Sequence, residues 1–187
     1  DLLTLQSRVR KTIVIVTHDI DEAIKLADRV AIMNVGGILE QYATPDELLS
    51  NPATPFVASF LGRERGLRRL ALRTVADIDT TLGPAVASTA TCDEALRVME
   101  AGGTSWVAVV DGSVLRGWID GATLTSTTVG TVGQLPVQPF VSVVAPTTPL
   151  REALDVIVNA RSRMAAVVDG ERYVGMITID EVAGALA

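Results

Sequence analysis

An unbroken β-branched, mostly apolar run from Thr12 to Val16 predicts a strand covered on both faces. The next three residues, Thr17-His18-Asp19, are polar. Ala23, Ile24 and Ala27 then recur at helical spacing, with Asp19, Asp21 and Glu22 gathered where a helix start favours negative charge. A second strand is expected over Arg29–Asn34. Strand, turn, helix and strand make a parallel α/β unit with His18 at the carboxyl end of its first strand, where ligands meet such sheets. Gly36-Gly37 predicts a hairpin between residues 30–35 and 38–42. Pro45 suits the first turn of a helix through Leu49 capped by Thr44, and Pro55 opens another. Residues 1–10, DLLTLQSRVR, read as a helix entered abruptly, with no initiator Met and no signal peptide, which is the expectation for a fragment.

Most of the remaining chain is an internal repeat. Glu94-Ala95-Leu96 recurs as Glu152-Ala153-Leu154, and Val107 to Gly112 recurs as Ala165 to Gly170, both at an offset of 58. Gly117-Trp118-Ile119 recurs as Gly175-Met176-Ile177 at that spacing, while Thr74-Val75 pairs with Thr131-Val132 at 57. Each unit reads as an extended lead-in, a helix, a strand, a Gly turn, a strand and a final helix. Ala95, Leu96, Val98 and Met99, with their partners Ala153, Leu154, Val156 and Ile157, form one buried helical face. The Asp-Gly steps join strands of hairpin type. A unit of about 55 residues buries little surface alone, so the two are expected to pack together.

Charge narrows the function. From Thr74 onward six Arg face eight Asp and five Glu, a net of −7, whereas residues 1–73 carry about +1. An acidic module repels nucleic acid, so no nucleic-acid partner is expected. No apolar run reaches the roughly 20 residues of a membrane-spanning helix. The single cysteine, Cys92, closes no intrachain disulfide, suits a reducing cytoplasm, and reads as a small buried or capping residue. Only one histidine exists, so no His pair for a metal is formed and no metal site is expected. Trp106 and Trp118 lie on apolar strands and read as core. Between the two regions Gly62 to Arg69 has the look of a polar, Arg-rich linker whose charges are solvated.

Taken alone, one histidine is more simply a cap than a catalyst, but VTHDIDEAIKLADRVAIM resembles the switch-histidine segment of ABC transporter ATPases. The IDEAIKLADR wording resembles the quaternary-amine importers for glycine betaine, choline or carnitine, and ATPDELLSNPATPFVASFLG resembles the helical end of such an ATPase domain. That resemblance implies that His18 contacts the γ-phosphate of ATP, with Mg, in the parent protein. The chain itself has no G-x-x-x-x-G-K-[ST] loop, no LSGGQ and no apolar strand ending in Asp-Glu, so by itself it is not expected to hydrolyse ATP. The repeats resemble the tandem cystathionine β-synthase (CBS) module that these importers often carry. The implied class is α/β: residues 1–62 the C-terminal remnant of an ABC ATPase domain, 63–73 a linker, then two β-α-β-β-α CBS repeats at 74–130 and 131–187.

The resemblance further implies a homodimer through CBS packing, a membrane permease subunit and a substrate-binding protein as partners, and a place at the inner face of the cell membrane. CBS modules that bind AMP, ATP or cyclic di-AMP tend to show G-h-h-[TS]-x-x-D. The second repeat reads Gly175-Met176-Ile177-Thr178-Ile179-Asp180-Glu181, which keeps the hydroxyl of Thr178 and an acid at Glu181, with Asp180 one step early. In the first repeat Asp120 replaces the hydroxyl and Thr123 the acid, so that site looks spent. Arg161 and Arg163, just before the strand at Met164, would supply positive charge to a phosphate held at the helix start. Thr178 and Glu181 equally match a capping box that binds nothing. Both readings stand at this point.

Overall fold

The first three described helices begin where a hydroxyl or carboxylate satisfies a free N–H group. The computed structural model describes residues 12–126, 130–160 and 162–186. The expected helix at residues 1–10 and Arg161 lie outside them. The chain divides into two compact units, Asp1–Leu72 and Arg73–Ala187. In the first unit the Asp19 side chain accepts from the N–H groups of Asp21 at 2.9 Å and Glu22 at 3.1 Å and starts α1, Ile20–Leu26. Strand β1, Val30–Asn34, turns through Gly36 and Gly37, at φ +82° and +78°, into antiparallel β2, Ile38–Ala43. Thr44 and Glu47 form a capping box ahead of α2, Pro45–Ser50, and Thr54 caps α3, Pro55–Leu61. The expected helix and hairpin bounds differ from these by a residue or so.

Between β1 and β2 the register slips, Ile32 facing Gln41 and Met33 facing Leu39, so Glu40 is the extra residue of a bulge. Its carboxylate accepts from Asn34 Nδ2 at 2.7 Å and Thr54 Oγ1 at 3.0 Å, tying the hairpin to the start of α3. Ile24, Val30, Ile32, Ala43, Leu48, Leu49, Val57 and Leu61 form the core of this unit.

Two expectations fail here. Thr12–Val16 is not a doubly covered strand: it pairs with no described strand, and Val14 and Val16 are 85% and 96% exposed. An apolar run becomes a strand only where a neighbour offers it a ladder, and β1 takes β2 as its partner instead, antiparallel. The Arg-rich segment is not a solvated linker along its length either. Residues Arg65–Ala71 form α4, with Leu70 buried. Arg68 pairs with Asp21 at 2.6 Å and donates to the Leu61 carbonyl, and Arg69 pairs with Asp46 at 2.8 Å. The run is helical because Arg68 and Arg69 find partners on α1 and α2 while Leu70 is buried.

In the second unit each repeat gives the expected order. The first has a 3₁₀ turn at Val75–Asp77, β3 Ala85–Ala87, α5 Cys92–Gly102, β4 Trp106–Asp111, β5 Val114–Asp120 and α6 Gly121–Thr125. The second has a 3₁₀ turn at Val132–Gln134, β6 Val143–Val144, α7 Leu150–Asn159, β7 Met164–Asp169, β8 Arg172–Thr178 and α8 Ile179–Gly184. The strands form one six-stranded sheet in the palindromic order β3-β4-β5-β8-β7-β6. Gly112 and Gly170, at φ +58° and +62°, turn the two Asp-Gly hairpins. Ala95, Met99, Ala153 and Ile157 are buried as the periodicity requires, Leu96 and Val98 pack against the first repeat's core, and Cys92 is buried at the start of α5. Trp106 is half-buried and meets Phe140 edge to face, centroids 5.8 Å apart.

The lead-ins are exchanged. Residues after Thr131 close the first repeat: Val132 N–H donates to Ala90 O at 2.9 Å, Gly133 N–H to Ser88 O at 2.7 Å, and Trp118 and Gln138 exchange N–H···O bonds of 2.8 and 2.9 Å. Val132 lies in the first repeat's core with Ala95, Val107 and Ile119. Residues after Arg73 close the second in the same manner, Val75 N–H bonding Thr148 O at 2.9 Å and Thr81 pairing with Met176 at 3.1 and 2.6 Å. Where the lead-ins cross the strands, both strands carry glycine. A Cβ on Gly117, at φ +145°, would lie 2.2 Å from Gln138 O, and one on Gly175 would lie 2.6 Å from Thr81 O. These paired glycines recur in sequence because a backbone lies directly on each.

The exchange also holds Tyr173, whose hydroxyl donates to Leu82 O at 2.7 Å. Burial pushes its phenol from the usual 10.0 up to about 12. An acid whose folded pKa is raised gives stability that is whole below its unfolded value near 10 and is lost as pH rises through about 12. Between those limits the denaturation midpoint of the wild type should therefore fall more steeply than that of Tyr173→Phe. Parallel curves for the two proteins would show that Tyr173 titrates freely.

Candidate functional site

Two places carry the candidate chemistry, one in each unit. In the first, Thr17 Oγ1 accepts from Asp19 N–H at 3.0 Å and Asp19 caps α1, so His18 is left as an exposed residue in the bend between extended chain and helix. The cap is Asp19 and not the histidine. His18 also lines a mostly apolar cavity of about 600 Å³ between the extended segment, α1 and β1, which Leu26, Ile32 and Phe60 help to wall.

In the second unit β8 ends at Thr178, whose hydroxyl accepts from Asp180 N–H at 3.2 Å as the N-cap of α8. The Glu181 carboxylate folds back, accepting from Thr178 N–H at 2.7 Å and from the Thr178 hydroxyl. This is the capping box that the sequence allowed, with both side chains satisfied locally. Thr178 and Glu181 are half-buried, while Asp180 is exposed. Helix α8 has six residues, so its dipole contributes little to holding an anion and the positive charge must come from a side chain.

The register supplies one. Met164 faces Thr178 across the β7–β8 ladder, which puts Arg163 beside the same sheet end. Arg163 is exposed and held at φ +53°, left-handed for a side-chain-bearing residue, with its N–H on Ala160 O at 3.1 Å. At the equivalent end of the first repeat Trp106 faces Asp120, and Ser105 stands where the second repeat has Arg163. Asp120 caps α6 by accepting from Thr123 N–H at 2.7 Å, and that bond holds its carboxyl below the usual carboxylate range. One end thus pairs a fixed negative charge with a serine, and the other pairs a threonine with an arginine. Sequence reasoning found both motifs but not the Ser105/Arg163 exchange, which the offset of 58 would have shown.

Comparison with known proteins places these features. The family model described as "CBS domain" matches residues 132–187. Carnitine transport ATP-binding protein OpuCA of Listeria monocytogenes is 37% identical over 182 residues, 93% of this chain and 45% of the relative. The glycine betaine/carnitine/choline transport ATP-binding protein OpuCA of Bacillus subtilis is 42% identical over 118 residues, 62% of this chain and 31% of the relative. The chain is a homologue of the ATP-binding subunits of quaternary-amine ABC importers and carries a tandem CBS module. It spans less than half the length of these curated relatives. CBSX2 of Arabidopsis thaliana, a CBS-pair protein, is 25% identical with a TM-score of 0.51, covering 60% of this chain and 93% of its own, and has also been solved in complex with AMP. The second unit, with its palindromic sheet, therefore has the fold of a CBS pair. Among the described residues no helix is long and apolar enough to cross a membrane, and no cluster of three or more metal-ligating side chains occurs.

Proposed function

We propose that this chain is the regulatory C-terminal part of an ATP-driven importer of glycine betaine, choline or carnitine, in which the CBS pair senses an intracellular adenine nucleotide or cyclic dinucleotide and controls transport. The observation that carries this reading is the alignment with OpuCA, which runs over 182 residues and so includes most of both units in one relative. In this reading residues 1–62 complete an ATPase domain, and residues 74–130 and 131–187 are the sensing repeats. The parent subunit works with ATP and Mg, His18 contacts the γ-phosphate, and a permease subunit fed by a substrate-binding protein holds the subunit at the inner face of the cell membrane. Two copies associate through their CBS modules. A ligand acts by differing in affinity for the two arrangements of the ATPase domains.

The second repeat is the binding end in this reading. Thr178 meets phosphate, Glu181 grips ribose hydroxyls, and Asp180 and Arg163 border the site, with Arg163 giving local positive charge in a module whose net charge is negative. Binding requires Glu181 to leave Thr178, and affinity is therefore modest. Calorimetry with AMP, ATP and cyclic di-AMP tests the reading. Losing one charge-assisted hydrogen bond costs about 1.5–3 kcal/mol, so Glu181→Ala should weaken nucleotide binding roughly ten- to a hundredfold, while Thr123→Ala should leave it unchanged.

The closed capping box favours a second reading, a dimerisation module of the same subunit that takes no ligand. That reading predicts a dimer by light scattering and no heat from any of the three nucleotides at millimolar concentration. Heat from one of them, lost on Glu181→Ala, rejects it.

A further inference from the structure

Arg73, the first residue of the second unit, gathers three distant pieces of the CBS module. Its guanidinium donates from Nη1 to Ala185 O at 2.7 Å, a contact across 112 residues of sequence, and from Nη2 to Asp77 O at 3.1 Å. Its own carbonyl accepts from Leu150 N–H, at the start of α7, at 2.9 Å. Thr74 next to it forms an isolated bridge with Pro149. Ala185 is the C-cap of α8 and is 6% exposed, so its carbonyl is a buried helix-end acceptor that the helix itself does not satisfy. An arginine is suited to this because its planar fork aims two donors at two carbonyls in a fixed geometry, whereas the donors of an ammonium rotate on one nitrogen at the end of a flexible stem.

Helix α8 is therefore held at both ends. Thr178 and Glu181 close its start, and Arg73 closes its finish. Arg73 also directly follows Leu72, the C-cap of α4, so the residue that holds α8 is the one by which the chain enters the module. A helix of six residues has few internal hydrogen bonds, so releasing either end makes it open more often.

We propose that Arg73 is a positioning residue that couples the Thr178 end of α8 to the chain entry at residues 73–77, so that loosening the helix start loosens the entry segment. The proposal takes its regulatory meaning from the sensor reading above, but its test uses no nucleotide. Hydrogen exchange of the full chain is compared for the wild type, Thr178→Val, Arg73→Met and the double variant. Removing one cap is worth roughly a fivefold change, so Thr178→Val should speed exchange of the α8 amides by about that factor and also speed exchange at Val75, Ala76 and Asp77. Arg73→Met alone should speed α8 exchange. In the Arg73→Met background Thr178→Val should no longer affect residues 75–77. Arg73→Lys, which keeps the charge without the fork, should fall between wild type and Arg73→Met.

The proposal is overturned if Thr178→Val speeds α8 alone in the wild-type background, or if Arg73→Met leaves α8 exchange as it was. If Thr178→Val does not fold, Glu181→Ala opens the same box and the same two outcomes decide. Calorimetric silence with the coupling intact rejects the sensor reading only, whereas nucleotide binding without coupling rejects this inference only.

Discussion

Gly117→Ala is expected to destabilise the CBS module by about 3 kcal/mol or more, a loss on the scale that mutations reach only through a specific steric or strain mechanism. Two causes add. The residue sits at φ +145°, which side chains seldom adopt, and the new methyl would lie 2.2 Å from the Gln138 carbonyl and 2.7 Å from Val137 Cγ1. The clash is with backbone, so no rotamer change relieves it; either Gln138 lifts away from Trp118 or β5 bends. Both outcomes break the two N–H···O bonds that hold the second lead-in on the first repeat. Gly112→Ala is the control: φ is +58° and nothing lies within 4 Å of the new methyl, so only the left-handed backbone cost of about 1–2 kcal/mol remains. Urea denaturation of the three proteins measures the difference. A Gly117→Ala variant as stable as Gly112→Ala would mean that the crossing is slack.

On the importer function proposed above, His18→Ala, made in the intact parent protein, should lower ATP hydrolysis by about 10²-fold while changing nucleotide affinity little. The estimate is that for removing one side chain that acts on charge developing in a transition state. The local structure makes this a clean experiment. His18 is exposed and is not the cap of α1, so its removal should leave folding alone. Asp19→Ala, one residue on, removes the cap that accepts from Asp21 and Glu22 and should cost about 1 kcal/mol of stability. Hydrolysis and stability should thus separate between neighbouring residues. Unchanged hydrolysis in His18→Ala would take the histidine out of the reaction.

What the sequence disclosed and what it hid follow the range of the forces involved. Thr44 with Glu47, Thr178 with Glu181, and the Asp-Gly turns act over a few residues, and each is in place. The repeat was legible because a shared fold puts like residues at a constant offset. Thr12–Val16 was misread because strand formation depends on partners that no local pattern reveals. The Arg run was misread because its charges meet Asp21 and Asp46, which lie 47 and 23 residues away. At the candidate site the motif around Thr178 could be read from spacing, whereas the nearness of Arg163 depends on the register of β7 against β8.

The exchanged lead-ins also bear on how the protein is made. The first repeat is closed by residues that come after it, and residues 73–82 find their seat only against strands near the end of the chain, as the Tyr173 to Leu82 bond across 91 residues shows. A chain emerging from the ribosome therefore cannot finish one repeat and then the other; the early lead-in must wait, unpaired, until β8 has been synthesised. Synthesis halted after Ser126 would leave the seat of Val132 beside Ala90 and Ala95 open to solvent. An incomplete product is thereby marked by exposed apolar surface that the finished module covers.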